Sequence, residues 1–179
     1  MPATPEAKLD LLGADAQLDL CRQSGQPMPD GSGGAAGLAR AEQRYRHGDV
    51  RRHITTARHP QRGPIPVLRV LQTNACAKDC FYCPFRAGRS IRREAYRPEE
   101  LAGLTQQLHR AGMIQGLFLS SGVVGKADHS MEQIVATAEI LRRRHGFRGH
   151  LHLKLMPGAS EGAVEAAVRL ADRVSINLE

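Results

Sequence analysis

The sequence predicts an α/β fold built of parallel βα repeats, and three observations carry that expectation. From Val67 onward, short runs that are apolar or alternate with a period of two are separated by segments whose apolar residues recur at helical spacing. Each helical segment is bounded by start and stop signals. Strands and helices alternate along the chain instead of clustering by type, the pattern of parallel strands joined by helical crossovers.

Taken in order, residues 5–20 read as a helix with Leu9, Leu11, Leu12 and Leu18, and Cys21 at its end reads as a small hydrophobe or passive thiol. Ser24 to Gly37 carries Gly, Ser and Pro without an apolar period and reads as a flexible connector. The chain therefore divides into an N-terminal helix (1–23), a flexible linker and basic segment (24–66) and a βα core (67–179). The core opens with a strand over 67–73. A helix over 98–111 follows, with Pro98 in its first turn, Glu99 and Glu100 complementing the dipole, Leu101, Leu104, Leu108 and Ala111 on one face, and Gly112 as the stop. Next come a strand over 116–120 and a helix over 131–145, with Ser130 and Gln133 as a capping box and Met131, Ile134, Ala138 and Leu141 on its face. Arg142 to Arg144 and Gly146 close that helix. A strand over 150–155, a helix over 161–171 capped by Ser160 and a strand over 173–178 complete the pattern. The apolar face of the last helix is Val164, Ala167, Val168 and Ala171.

Composition narrows the function. The first twenty residues lack a basic start and an apolar run, so no secretory signal is read, and no stretch approaches membrane-spanning length. A cytoplasmic protein without membrane contact is expected, and in a reducing compartment clustered cysteines act as metal ligands more often than as disulfides. The formal charge of +7 is concentrated in Arg40, Arg44, Arg46, Arg51, Arg52, Arg58, Arg62 and Arg69, and in Arg86, Arg89, Arg92, Arg93 and Arg97. Such clusters either contact phosphates of a nucleic acid or nucleotide or form a solvated surface. The absence of Trp and the scarcity of other aromatics argue against a base-stacking platform.

In parallel βα folds, ligands gather beyond the carboxyl ends of the strands. Directly after the first core strand stand Cys76, Cys80 and Cys83. Three closely spaced thiols form an incomplete set for structural zinc, which closes a tetrahedron of four protein ligands, whereas an iron–sulfur cluster held by three cysteines keeps one iron open. The second strand ends in Ser120, Ser121 and Gly122. In the third, His150, His152 and Lys154 share one face opposite the leucines, and in the fourth Ser175, Asn177 and Glu179 do the same. Helices should cover the apolar face, leaving the polar face to line a cleft or barrel interior.

The Cys-x3-Cys-x2-Cys run with Tyr82 before its last cysteine resembles the signature of the radical S-adenosylmethionine (radical SAM) superfamily. The segments 117–123, Phe147 to Lys154, Pro157 to Ser160 and Asp172 to Glu179 resemble the amino-terminal part of a radical SAM group described as DNA modification or repair proteins. The resemblance covers about residues 65–179. It implies a partial TIM-type barrel, a [4Fe-4S] cluster on Cys76, Cys80 and Cys83, and S-adenosyl-L-methionine bound to its open iron. An external electron donor would reduce the cluster, the sulfonium would be cleaved to a 5'-deoxyadenosyl radical, and DNA or a nucleotide would be the substrate. By the same resemblance the backbone near Tyr82 lies along the adenine, Ser120, Ser121 and Gly122 receive the methionine amino group, and Ser175 and Asn177 lie near the ribose. This chain has no Gly-Gly-Glu at that turn, so hydroxyls and backbone carbonyls stand where a carboxylate is common. His150, His152 and Lys154 receive no role.

Radical SAM barrels close about six βα units, and the resembled group continues into a helix-hairpin-helix DNA-binding element. The chain ends in its fourth core strand, which leads us to expect an incomplete, amino-terminal part of such a protein. Two alternatives stay open on the residues alone. One is a non-catalytic zinc or iron–sulfur module beside an arginine-rich nucleic-acid surface. The other is a metallohydrolase barrel using His150 and His152, with Glu179 as its one visible carboxylate partner.

Overall fold

A computed structural model describes residues 3–18, 50–59 and 63–177. Cys21, the connector from Ser24 to Gly37, Arg40, Arg44, Arg46, Arg62 and Glu179 lie outside the described residues.

Helix α1 (Pro5–Ala16) starts where Thr4 accepts a hydrogen bond from the Ala7 amide through its hydroxyl, and it buries Leu9, Leu12 and Ala16. A 3₁₀ turn (Val50–His53) leads into β1 (Ile54–His59), which pairs antiparallel with β2 (Gly63–Leu71). Then follow α2 (Pro98–Arg110), β3 (Gly116–Ser120), α3 (Ala127–Glu139), β4 (His150–Lys154), α4 (Glu161–Leu170) and β5 (Arg173–Ser175). Helix α3 runs on into a π-helical turn, Ile140–Arg144. Among the described residues the sheet has the order β1-β2-β3-β4-β5, and β2 through β5 are parallel.

Because each parallel strand is laid beside its predecessor in one direction, right-handed crossovers place α2, α3 and α4 on the same side of the sheet. The core confirms this sidedness. Leu68, Val70, Leu117, Leu119, Leu151 and Leu153 pack with Leu101, Leu104, Leu108, Met131, Ile134, Ala138 and Leu141, and Leu9 and Leu12 of α1 join the same cluster. A smaller cluster, Ile65, Val67 and Phe118, lies on the opposite face. The period-two reading of β4 holds: Leu151 and Leu153 are fully buried in the helix-side core, and His150 and His152 are half-buried.

The structure departs from the sequence reading in five places, the last strand among them, which ends at Ser175 and leaves Asn177 beyond it. Strand β1 and the first residues of β2 occupy part of the segment assigned to a linker, because Ile54 to His59 pairs residue for residue with Gly63 to Leu68. Helix α1 ends at Ala16 and is packed into the core. Helix α3 starts at Ala127, four residues before the expected start, and Ser130 lies inside it, buried, where its hydroxyl accepts the Val124 amide and fixes the preceding turn. On α4 the buried residue is Ala167, and Val168 is half exposed.

Candidate cofactor site at the carboxyl ends of the parallel strands

Strand β2 passes into the cysteine loop through Gln72, Thr73 and Asn74, all buried despite their polarity. Each is satisfied, as buried polar groups must be. The Gln72 amide donates from its side chain to the Tyr96 carbonyl and accepts from the Thr137 hydroxyl, both at 2.8 Å. The Thr73 hydroxyl donates to the Glu94 carbonyl at 2.7 Å and accepts from the Ala75 amide at 3.0 Å. Asn74, with no solvent exposure, donates to an Asp15 carboxylate oxygen at 2.8 Å and to the Arg92 carbonyl at 2.9 Å, and accepts from the Glu94 amide at 2.8 Å. The loop thus starts from a fixed base that includes α1.

Arg93 closes the loop from its far side. One guanidinium nitrogen donates to the carbonyls of Asn74 (2.5 Å) and Phe85 (2.8 Å), the other to those of Arg86 (2.9 Å) and Arg89 (3.1 Å). The planar fork of an arginine suits this role, since its donors point in fixed divergent directions. Arg93 is half-buried, and its guanidinium is taken up by these four backbone carbonyls. Its neighbours are also engaged: Arg86 with Asp79, Arg92 with Glu94, and Arg97 with Glu100. Of the first cluster, Arg51, Arg52 and Arg58 are exposed, and the Arg69 side chain donates to the Ala16 carbonyl at 2.9 Å.

Between these anchors stand the three thiols, each partly exposed and none in a disulfide. Cys76 and Cys83 pack against the core. The Lys78 amide lies 3.4 Å from the Cys76 sulfur, and the Cys83 amide donates to the Cys80 carbonyl at 2.9 Å. Phe81 and Tyr82 project outward at 87 % and 67 % exposure. The thiols do not stand as a preassembled group, for no set of three or more His, Cys, Asp or Glu side chains arranged for a metal ion occurs among the described residues. In kind and number the donors fit an iron–sulfur cluster: three partly exposed sulfurs on one loop, one already receiving a backbone N–H, and no fourth cysteine and no histidine between residues 76 and 83.

The turn after β3 abuts this loop. The Gly122 amide donates to the Thr73 carbonyl and the Ala77 amide to the Val123 carbonyl, both at 2.7 Å. A side chain at position 122 would collide with the Ala75 carbonyl and stand 3.3 Å from the Cys76 β-carbon, so the close approach requires glycine. Ser120 is buried, and the Ser121 hydroxyl donates to the Gly122 carbonyl at 2.8 Å. The parallel register puts Ser120, Lys154 and Ser175 at the same edge of the sheet, and Asn177 follows two residues beyond Ser175.

On the sheet face opposite the helices, His152 donates to or accepts from the Ser175 hydroxyl at 2.8 Å, and its ring meets Phe118 edge-on with centroids 4.8 Å apart. Burial chiefly, and then the charges of Arg173, His150, Arg69 and Lys154, push its imidazole down to about 3, so it is neutral at ordinary pH. His150 lies 4.0 Å from a carboxylate oxygen of Asp172, which also takes Arg142 at 2.6 Å and the Leu151 amide at 2.7 Å.

Sequence reasoning identified the thiols and the turn, took Arg93 for a phosphate contact or a solvated surface residue, and passed over the structural parts of Gln72, Asn74 and Asp15. A polar triplet at the end of an apolar strand was the signal available. Comparison with protein-family models, with curated proteins and with solved structures returned no match for this chain.

Proposed function

We propose that the chain is the cluster-bearing part of a radical SAM enzyme, with a partial barrel formed by its parallel strands. The observation that carries this reading is the packing of the Ser120–Gly122 turn onto the Cys76–Cys83 loop at the carboxyl ends of adjacent parallel strands. Cys76, Cys80 and Cys83 would hold a [4Fe-4S] cluster, which when reduced by an external donor supplies the electron that cleaves S-adenosyl-L-methionine to methionine and a 5'-deoxyadenosyl radical. The chain's own residues would bind and orient. Backbone carbonyls and hydroxyls of Ser120 to Gly122 would receive the cofactor's ammonium group, the backbone beside Tyr82 would lie along its adenine, and Ser175 and Asn177 would meet its ribose. Arg93 and Asn74 would keep the loop in register with the sheet. A nucleic-acid or nucleotide substrate is the accompanying expectation.

The test is anaerobic reconstitution with iron and sulfide, then reduction in the presence of S-adenosyl-L-methionine. Four irons per chain, lost when Cys80 is replaced by serine, together with formation of 5'-deoxyadenosine, is the expected result. One zinc and no sulfide would overturn it.

A further inference from the structure

The exposed apolar side chains of the molecule are unevenly placed. Of the five large ones exposed among the described residues, Phe81, Tyr82 and Val124 lie on the two loops that meet at the thiols, while Val168 and Ile176 lie on α4 and beyond β5. The Ala77 amide donates to the Val123 carbonyl at 2.7 Å, which brings Val124 beside the cysteine loop. The Ala87 amide donates to the Lys78 carbonyl at 2.8 Å, folding the loop back on itself, and the Arg86 guanidinium lies 5.5 Å from the centre of the Phe81 ring. Around these side chains the unpaired charge has one sign. Lys78 and Lys126 are exposed and Arg89 is half-buried, and none of the three forms an ion pair among the described residues. The one carboxylate between residues 75 and 93, Asp79, is taken up by Arg86 and by the Gly88 amide at 3.2 Å, and there is none between residues 121 and 127.

We propose that this surface, apolar at Phe81, Tyr82 and Val124 and basic at Lys78, Arg89 and Lys126, docks a small acidic one-electron carrier protein. The proposal rests on the cluster reading above and adds to it the place and the charge of the partner. Single exposed apolar residues are ordinary, but a group of them on two touching loops marks an interaction surface. An aromatic centre within a charged rim is the make-up of protein interfaces, and redox encounters are among the smallest of these. Unpaired cations steer an acidic partner and orient it. The same charges oppose a second copy of the chain, which would set cation against cation across a two-fold axis. A nucleic acid would need a basic groove along its backbone, whereas Arg86, Arg92 and Arg93 are engaged within the protein. Cys80 and Cys83 lie between Lys78 and Arg89, so the partner docks on the loop that carries the thiols. One electron passes from the carrier to the cluster: the carrier is oxidised by one, the cluster is reduced by one, and no bond to this chain forms or breaks.

The experiment has a binding arm and a kinetic arm, both with flavodoxin, a small acidic flavin protein, as the probe. In the first, the full 179-residue chain without cluster, its thiols kept reduced, is titrated calorimetrically with flavodoxin. Saturable binding that weakens with salt is expected, reduced roughly tenfold by Phe81→Ala and by Lys126→Glu. Arg148→Glu, a charge reversal at an exposed position before β4 and so at the opposite end of the strands, should leave it unchanged. All three side chains are exposed, so the variants should keep the wild-type circular dichroism. In the second, the reconstituted chain is mixed with reduced flavodoxin or with dithionite, and bleaching of the cluster is followed. Phe81→Ala and Lys126→Glu should slow the reaction with flavodoxin roughly tenfold and leave the reaction with dithionite, which needs no docking, at the wild-type rate. Absence of binding, equal weakening by Arg148→Glu, or equal slowing with dithionite would overturn the proposal. So would affinity for a single-stranded oligonucleotide lost in Phe81→Ala without affinity for flavodoxin, which would assign the surface to nucleic acid. A chain that binds flavodoxin as expected but takes up no iron and sulfide would overturn the cluster reading and leave the docking surface standing.

Discussion

Asn74 is the residue on which the cysteine loop turns, and its partners decide how the loop behaves. Its side chain joins Asp15 of α1 to the Arg92 and Glu94 backbone, while its carbonyl is held by Arg93. Replacing Arg93 by alanine strands carbonyls of Asn74, Phe85, Arg86 and Arg89 at once, and hydrogen bonds to a charged donor are worth more than neutral ones. A loss of about 2–3 kcal/mol in denaturant-measured stability is expected; Arg93→Lys should recover only part of it, since an ammonium has three donors and no fork. Asp15 adds a pH dependence. Burial raises its carboxyl to about 6 from the ordinary 3.8, against the lowering pull of the Asn74 hydrogen bond and of Arg93. The folded state therefore binds the proton more tightly than the unfolded chain, so Asp15 destabilises the fold above pH 6, and stability rises as pH falls from about 6 to about 4. Each pH unit in that window is worth at most about 1.4 kcal/mol. Asp15→Asn should flatten this part of the profile and raise stability at pH 7; parallel profiles for the two proteins would show that Asp15 does not carry it.

At the scale of elements, the parts legible in the sequence were those with local signals. The bounds of β3 and α2 were read within a residue because Pro98, Glu99, Glu100 and Gly112 punctuate the helix and a short apolar run fills the strand. Strand β1 was missed because Ile54-Thr-Thr-Ala-Arg-His has a single large aliphatic side chain, and its identity as a strand comes from pairing with β2. Ser130 and Gln133 mimic a capping box, yet the Ser130 hydroxyl serves the amide of Val124, six residues back. The polar triplet Gln72 to Asn74 resembles a strand tail, and its meaning resides in partners as distant as Asp15 and Thr137. The Gly122 contact belongs to this scale also, for it sets how closely the turn after β3 approaches the loop after β2. Gly122→Ala should cost about 1–3 kcal/mol by overpacking and should impair iron incorporation on reconstitution more than an alanine at the open Gly103 of α2 does. Equal iron content in the two variants would separate the turn from the site.

Across the whole molecule, α1 couples the beginning of the chain to the candidate site. Lys8 pairs with Glu100 at the start of α2 at 2.7 Å, the Tyr96 hydroxyl donates to the Pro5 carbonyl at 2.6 Å, Arg69 reaches the Ala16 carbonyl, and Asp15 holds Asn74. The Arg69 contact falls just past Leu68, where the pairing of β2 with β1 ends. Leu9 and Leu12 give the docking its apolar component, both being essentially without exposure. Leu12→Ala removes buried methyl groups from a packed site and should destabilise the protein by about 2–5 kcal/mol. If α1 acts as one clamp with the cysteine loop, the same variant should expose Cys76, Cys80 and Cys83 to faster alkylation under conditions where the protein remains folded. The comparison is best made with Cys21 replaced by serine, so that the three loop thiols alone report, and with Val168→Ser on the half-exposed face of α4 as the control. Faster labelling in Leu12→Ala and unchanged labelling in Val168→Ser is the expected pattern, because local opening exposes a thiol only where the broken contacts support it. Equal labelling in all three proteins would mean that α1 stabilises the sheet without holding the loop, and the Asp15–Asn74 hydrogen bond would then follow the loop's position instead of fixing it.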